Sequence, residues 1–402
     1  MKTRFATPHL LKTLRWVLVS VGLAVVMTAC GDDSNPQDPA APTPVVTQQV
    51  RKNVNSLTAQ EKTDFVEAIL RLKKLPPPDS DEVGNWYDHF VASHMRKLVC
   101  WTDEPGQGGY GHNGPDLLTW HRAFLLDFEK AMSTVMGKPM TIPYWDWTDP
   151  SSTAVVFADD FMGGKGDTAN GYTVMSGPFK SGAWRINVKG FTSSNPGQFD
   201  WIVRAVGTMS GMSQLPTREE VQQALLRAQY DVPAWGVSSD LDTSFRAFVD
   251  GNVGATGTKC DGGLIAIDGI QTSFLHGSVH MWVGGTDASG NPGTLSDTAT
   301  SPNDPVFWLH HANIDRLAES WWIINAYQYL PISGGPRGSN LSDRIWPYST
   351  TNADMAVPTA KLGYVYDELI TLDRSTPFVP AAEWVNTRGA GPVHHVGVMN
   401  RH

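Results

Sequence analysis

Charge is sparse and has the wrong sign for a nucleic-acid partner. Charged residues make up 18% of the 402, the net charge is −9, and no basic stripe or recognition motif is present. The most apolar run, Trp16 to Met27, is too short for a comfortable transmembrane helix. Cysteine occurs three times, and beyond Cys30 only Cys100 and Cys260 remain, enough for one disulfide in an oxidising compartment. Two metal signatures are missing. No HExxH motif is found, which removes the usual zinc-hydrolase base pattern, and no Glu-x-x-His pairing accompanies the helical segments, which disfavours a carboxylate di-iron centre. Internal repeats and a second linker are also absent.

What is present describes a globular chain behind a targeting segment. Apolar residues are 41% of the sequence, so a packed core is expected, and fifteen tryptophans suit a core that walls off a reactive centre. Lys2, Arg4, Lys12 and Arg15 precede the short apolar run, which ends in Met27-Thr28-Ala29-Cys30. Residues 1–30 therefore read as a lipoprotein-type signal peptide. Cys30 becomes the lipidated terminus, and the expected location is extracytoplasmic, on a bacterial membrane without spanning it. Residues 31–49 are rich in proline and polar, a flexible linker.

Helical patterns then follow. Thr58-Ala59-Gln60-Glu61 is a capping box before Phe65, Ile69 and Leu72. Further helices are expected over about 86–99, 115–136, 217–229, 270–282 and 305–325, the last with Pro305 near its start and Asn303 or Asp304 as cap. The stretch 137–260 is rich in Gly, Pro and Ser and reads as long loops with short strands. The predicted fold is mainly α: a four-helix bundle over residues 50–368, followed by a short polar tail, 369–402.

Eight of the twelve histidines fall in two groups: His89, His94, His112 and His121, then His276, His280, His310 and His311. His276 and His280 are four apart, so on a helix both project from one face, about 5.4 Å apart along the axis. Two imidazoles so placed can chelate one metal, and His311 on another helix can complete a three-nitrogen site. His121 sits on the third helix, His112 in the Gly-rich loop before it, and His94 on the preceding helix. Neutral imidazoles suit copper in either oxidation state, and two such sites facing each other would bind O2 between them.

The residues around these histidines resemble the tyrosinase, catechol oxidase and hemocyanin group of type 3 copper proteins. The likeness lies in His112-Asn113-Gly114-Pro115-Asp116-Leu117-Leu118-Thr119-Trp120-His121-Arg122, in His276-Gly277-Ser278-Val279-His280-Met281-Trp282, and in Asn303-Asp304-Pro305-Val306-Phe307-Trp308-Leu309-His310-His311-Ala312-Asn313. Pro143-Tyr144-Trp145-Asp146-Trp147, Gly177-Pro178-Phe179 and Leu362-Gly363-Tyr364-Val365-Tyr366 add to it.

The resemblance implies two copper ions, with O2 as co-substrate. CuA would be held by His94, His112 and His121, and CuB by His276, His280 and His311. His310 and His89 would be non-ligands. It further implies that Arg51 packs on the tyrosine motif. Around the site, Gly277, Met281 and Phe307 would shape the pocket, and Asp315 would orient a ligand imidazole or pair with Arg316. The activity implied is oxidation of o-diphenols to o-quinones. Tyrosinase, o-aminophenol oxidase and, further off, an O2 carrier are the alternatives.

Four departures from the family pattern refine this expectation. Gly277 stands where members that hydroxylate monophenols often carry Asn. The Glu expected shortly before His276 is absent, with Gln271 and Thr272 in that stretch. Both changes point away from hydroxylation, because a phenol with pKa about 10 needs a base. Tyr110 replaces the Cys of a Cys–His thioether, and the chain after the tyrosine motif is too short for a C-terminal lid domain.

Overall fold

Thr58 starts the first helix as its sequence predicts. In the computed structural model its hydroxyl accepts the Glu61 N–H, and the Glu61 carboxylate accepts the Thr58 N–H. The structure describes residues 48–78, 84–99, 111–189, 199–236, 238–251, 256–258, 264–266 and 275–387. Cys30, Cys100, Cys260, Tyr110, Gln271, Thr272 and the histidines at 9, 394, 395 and 402 lie outside them. Among the described residues no helix is long and apolar enough to cross a membrane.

The helices are α1 (Ala59–Leu72), α2 (Trp86–Val99), α3 (Leu117–Met136), α4 (Pro150–Val156), α5 (Arg218–Leu226), α6 (Phe245–Asp250), α7 (His276–Gly284), α8 (Val306–Ile324), α9 (Asn352–Met355) and α10 (Ala381–Thr387). The strands β1 (Gln49–Arg51), β2 (Thr256–Thr258), β3 (Leu264–Ala266) and β4 (Tyr364–Tyr366) form two small sheets, β1 parallel to β4 and β2 antiparallel to β3. The fold is thus mainly α, with long loops, and α2, α3, α7 and α8 form the bundle. Residues 369–387, expected within a polar tail, are tied to the body: Gln222 Oε1 accepts the Asp373 N–H, Gln223 Oε1 the Val379 N–H, and Asp242 the Ala381 N–H.

α8 is the axis of the core. Every residue from Val306 to Trp322 is buried, polar ones included, so the helix is enclosed on every side and its polar groups need partners within the protein. Its Trp308 stacks on Phe128 of α3 at 3.6 Å between centroids, and Phe90 of α2 packs edge-on to Phe128 at 5.1 Å. The Trp308 N–H donates to Tyr87 Oη (3.1 Å), so the ring is buried without leaving a polar atom unpaired. The start of α8 is held by Asp304, whose Oδ1 accepts the Val306 N–H at 3.1 Å. Asp304 is itself clamped by Arg204 through two hydrogen bonds (2.7 and 2.8 Å), and both side chains are fully buried.

A second buried ion cluster joins α3, α8 and both strands of the parallel pair. Arg51 donates twice to Glu129 (2.8 and 2.9 Å) and once to Asp315 (2.9 Å), with its guanidinium 3.8 Å from the Tyr364 ring centroid. The expected Arg51–tyrosine contact is therefore present. Asp315 also accepts from Arg122 (2.6 Å) and from the hydroxyls of Tyr364 and Tyr366 (2.6 Å each). The expectation that Asp315 orients an imidazole or pairs with Arg316 is corrected: its oxygens are taken by Arg51, Arg122 and the two tyrosines. Arg316 turns instead to Asp146 (3.4 Å) and the Glu368 carbonyl (2.6 Å). Despite full burial the Asp315 carboxyl has a lowered pKa; desolvation opposes ionisation, but the Arg122 and Arg51 charges outweigh it.

Breaking the Arg204–Asp304 pair from one side leaves a buried, unpaired carboxylate at the helix start. Arg204→Met is expected to cost about 3–5 kcal/mol in urea denaturation. Adding Asp304→Asn to Arg204→Met should recover part of that loss; no recovery would mean the charge is not the source of the cost.

Candidate metal centre

The bundle brings the predicted histidines into two adjoining trios, all six buried. His94 on α2, His112 in the loop before α3 and His121 on α3 form one, with ring centroids 5.0, 4.9 and 5.7 Å apart. His276 and His280 on α7 and His311 on α8 form the other, at 4.7, 4.9 and 5.3 Å. The trios touch: His121 and His311 stack at 4.2 Å, and His112 lies 5.8 Å from His276.

Hydrogen bonds on one ring nitrogen leave the other free to ligate. His94 Nδ1–H donates to the Ala299 carbonyl (3.0 Å), His121 Nδ1–H to Leu117 (2.8 Å) and His280 Nδ1–H to Leu295 (3.0 Å). His276 Nδ1–H faces the Asp250 carboxylate at 3.3 Å. The Nε2 atoms of His94, His121 and His276 are buried without a hydrogen-bond partner, a costly state unless something else binds them. His280 Nε2 and His311 Nε2 lie 3.1 Å apart. Metal–imidazole bonds of about 2.0–2.1 Å place two nitrogens on one ion about 3 Å apart. The donor set is all imidazole, and the orphaned nitrogens fit a pair of copper ions.

Burial pushes the pKa of His94, His121, His280, His310 and His311 well below the ordinary imidazole value, and neighbouring imidazoles push the same way. These rings are neutral at pH 7, as ligation requires.

His310 lies beside the second trio, but both its nitrogens are engaged. Nδ1 accepts the Trp147 indole N–H (3.1 Å), and Nε2–H donates to the His276 carbonyl (3.1 Å). His89 stands apart from both trios on α2, with its ring against Phe90 at 5.9 Å. A pocket opens onto the histidines, lined by Leu98, His112, Asn113, Asp250, His276, Gly277, His280 and Thr298. Gly277 is where the pocket expectation puts it. Met281 is not, since the next helical position carries it off the cavity-facing side. Phe307 is a floor rather than a wall: fully buried, it packs at 4.0 Å from His311 and 5.1 Å from His94.

Asp250 is the functional residue that sequence reading missed. It ends the six-residue helix α6, 26 positions before His276. Besides facing His276, its Oδ2 accepts the Asn113 N–H (2.7 Å) and lies 3.6 Å from Arg246. A carboxylate thus stands beside the second trio, from a position well upstream of the stretch where the family's Glu is expected. No local spacing advertises Asp250, an acid that closes the short segment Phe245-Arg246-Ala247-Phe248-Val249.

A family model described as the common central domain of tyrosinase matches residues 84–323. The chain is 37% identical over 323 residues to a tyrosinase of Streptomyces glaucescens, covering 79% of this chain and 98% of that protein. To a tyrosinase of Streptomyces antibioticus it is 39% identical over 308 residues, covering 75% and 93%. The fold is like that of a polyphenol oxidase from Thermothelomyces thermophila, with TM-score 0.56 and 22% identity over 81% of this chain and 90% of that one.

Copper analysis of the purified holoprotein should give about two ions per chain. His280→Ala should lower this to about one, whereas His310→Gln should keep about two, because neither nitrogen of His310 is available. The metal-free protein should also lose stability as pH falls below about 6.5. His94, His121, His280, His310 and His311 have depressed folded-state pKa values, so the unfolded chain binds more protons in that window, and their contribution, full above it, declines with acidification. Urea midpoints of the chelator-treated protein at pH 7.5 and 5.5 measure this, and a midpoint unchanged or higher at pH 5.5 would contradict it.

Proposed function

The chain belongs to the tyrosinase family of type 3 copper oxidases, and from that premise we propose that its favoured reaction is oxidation of o-diphenols to o-quinones by O2. His94, His112 and His121 are proposed to hold one copper, and His276, His280 and His311 the other. Bound there, copper supplies dioxygen binding and two-electron redox chemistry. Two diphenols each give up two electrons and two protons, and one O2 takes up all four of each to leave as two waters.

The protein's share is placement and access. His94, His121, His280 and His276, with Nδ1 held by a carbonyl or a carboxylate, present Nε2 inward at a preset geometry. Phe307 and the stacked His121–His311 pair form a floor that keeps water out from below. The pocket beside Gly277 is the approach by which a flat ring would reach the second trio. The single observation that carries the diphenol reading is Gly277. A residue without a side chain at that cavity position offers no amide to hold a water that could deprotonate a monophenol. An o-diphenol, whose adjacent hydroxyls can both approach the site, depends less on such a base.

Asp250 favours a second reading, tyrosinase with monophenol hydroxylation. It puts a carboxylate on the cavity wall, and the Streptomyces relatives carry the name tyrosinase. Against it, Asp250 is already committed to Arg246, Asn113 and His276. For location, the basic N-terminal segment ending at Cys30 supports a membrane-tethered enzyme outside the cytoplasm.

The test is quinone formation by copper-loaded protein from 4-methylcatechol and from 4-methylphenol, followed by absorbance. We expect kcat/KM on the monophenol to be lower by about 100-fold or more, the scale of a missing general base, and Gly277→Asn to narrow the gap. Comparable turnover of the two substrates by the unmodified protein would favour the tyrosinase reading.

A further inference from the structure

One loop touches both trios. Residues 294–300 run between α7 and α8, and two of their carbonyls receive ligand protons: Leu295 from His280 of the second trio, Ala299 from His94 of the first, each at 3.0 Å. Thr298 between them lines the cavity. The loop is pressed onto α7 so closely that a Cβ on Gly284 would sit 2.3 Å from Ser296 N, and Ser296 Oγ donates to the His280 carbonyl (3.4 Å). On its outer side Thr294 exchanges two hydrogen bonds with Val203 (2.8 and 2.9 Å). Asp297 lies midway between the two accepting carbonyls. Its Oδ1 accepts the N–H groups of Ala299 (3.2 Å) and Thr300 (3.4 Å), and its own N–H donates to Gly293 (3.3 Å).

We propose that segment 294–300 is a shared support that sets both metal trios at once, with Asp297 as its positioning residue. This rests on the two-copper reading above. A ligand imidazole turns about its Cβ–Cγ bond unless the far nitrogen is held, so the carbonyl that takes the Nδ1 proton decides where Nε2 points. Here the two deciding carbonyls are four residues apart on one turn, and that turn is closed by the Asp297 side chain. Losing the Asp297 carboxylate takes away the acceptor of the Ala299 N–H and leaves the Thr300 N–H, which rides on the Ala299 carbonyl's peptide, with only the Asp297 main-chain carbonyl (3.2 Å), so the turn is loosened but not opened. Each trio is then weakened by a residue that touches no metal ligand.

The test titrates copper into metal-free wild type, Asp297→Ala and Asp297→Asn against a competing chelator, reading bound copper per chain. Wild type should fill to about two. Asp297→Ala should need about 10- to 100-fold more free copper at both sites, the usual scale for loss of an outer support. Its metal-free form should still unfold cooperatively. Asp297→Asn, which keeps an acceptor oxygen, should restore most of the affinity. A wild type that binds far fewer than two coppers overturns the metal reading, and the proposal with it. If wild type binds two and Asp297→Ala fills like wild type, or splits into one normal and one weakened site, the shared support alone is overturned. Failure of Asp297→Asn to recover would also overturn it, because the acceptor would not be what matters.

Discussion

This structure is organised around burying six imidazoles in two adjoining trios. An imidazole in a dry core must place its N–H somewhere, and an unplaced one costs on the order of 1–3 kcal/mol. The fold answers with a main-chain carbonyl for His94, His121 and His280 and a carboxylate for His276. That same answer fixes the tautomer, so that the proton sits on Nδ1 and the Nε2 lone pair is exposed to a metal. Burial that would be a liability for an ordinary histidine becomes the source of ligand strength, since it lowers the pKa and keeps protons from competing with the ion.

Aiming the rings also requires that the helices not turn about their axes. α3 and α8 carry ligands on one side and charges just beyond them: Arg122 follows His121 directly, and Asp315 lies one turn beyond His311. The Arg122–Asp315 hydrogen bond (2.6 Å) therefore ties together the two helices whose His121 and His311 rings stack at 4.2 Å. Arg51 brings Glu129 into the same cluster, and β4 supplies the two tyrosine hydroxyls. Buried charge clusters of this kind contribute little net stability over an apolar core. The return here is orientation: a slipped helix would strand a guanidinium or a carboxylate without its partner.

The helical part of this arrangement was legible in the sequence, because helices announce themselves by period and cap. Thr58–Glu61 behaves as written, Asp304 receives the Val306 N–H from one position before the Pro305 cap, and the spacings of His276, His280 and His311 place them where they converge. Arg51 on the tyrosine motif was legible too, through resemblance alone. What stayed hidden depends on long-range contacts without a period. Asp315 reads equally well as a ligand's partner or a neighbour's, and only the approach of Arg51 from 264 positions away decides. Met281 fails as a pocket residue because adjacency in sequence to His280 says nothing about which side of α7 faces the cavity. Asp250 escaped notice because the pairing of α6 with α7 crosses a stretch with no signal of its own.

The supports that were hardest to read share one geometry. Asp250 receives the N–H next to His112 and faces the Nδ1–H of His276, so one carboxylate spans the two trios. The 294–300 loop spans them again from another direction, through two carbonyls. Two helices place most of each trio, with His112 added from a loop, but they leave the distance between trios to side-chain packing. Bridging contacts from short, tightly closed segments are stiffer in that coordinate. In the proposed reaction, where one small molecule would meet two metals at once, the separation of the trios matters as much as either trio's own shape. The non-helical parts of the chain therefore carry a share of the chemistry that their irregular sequence conceals.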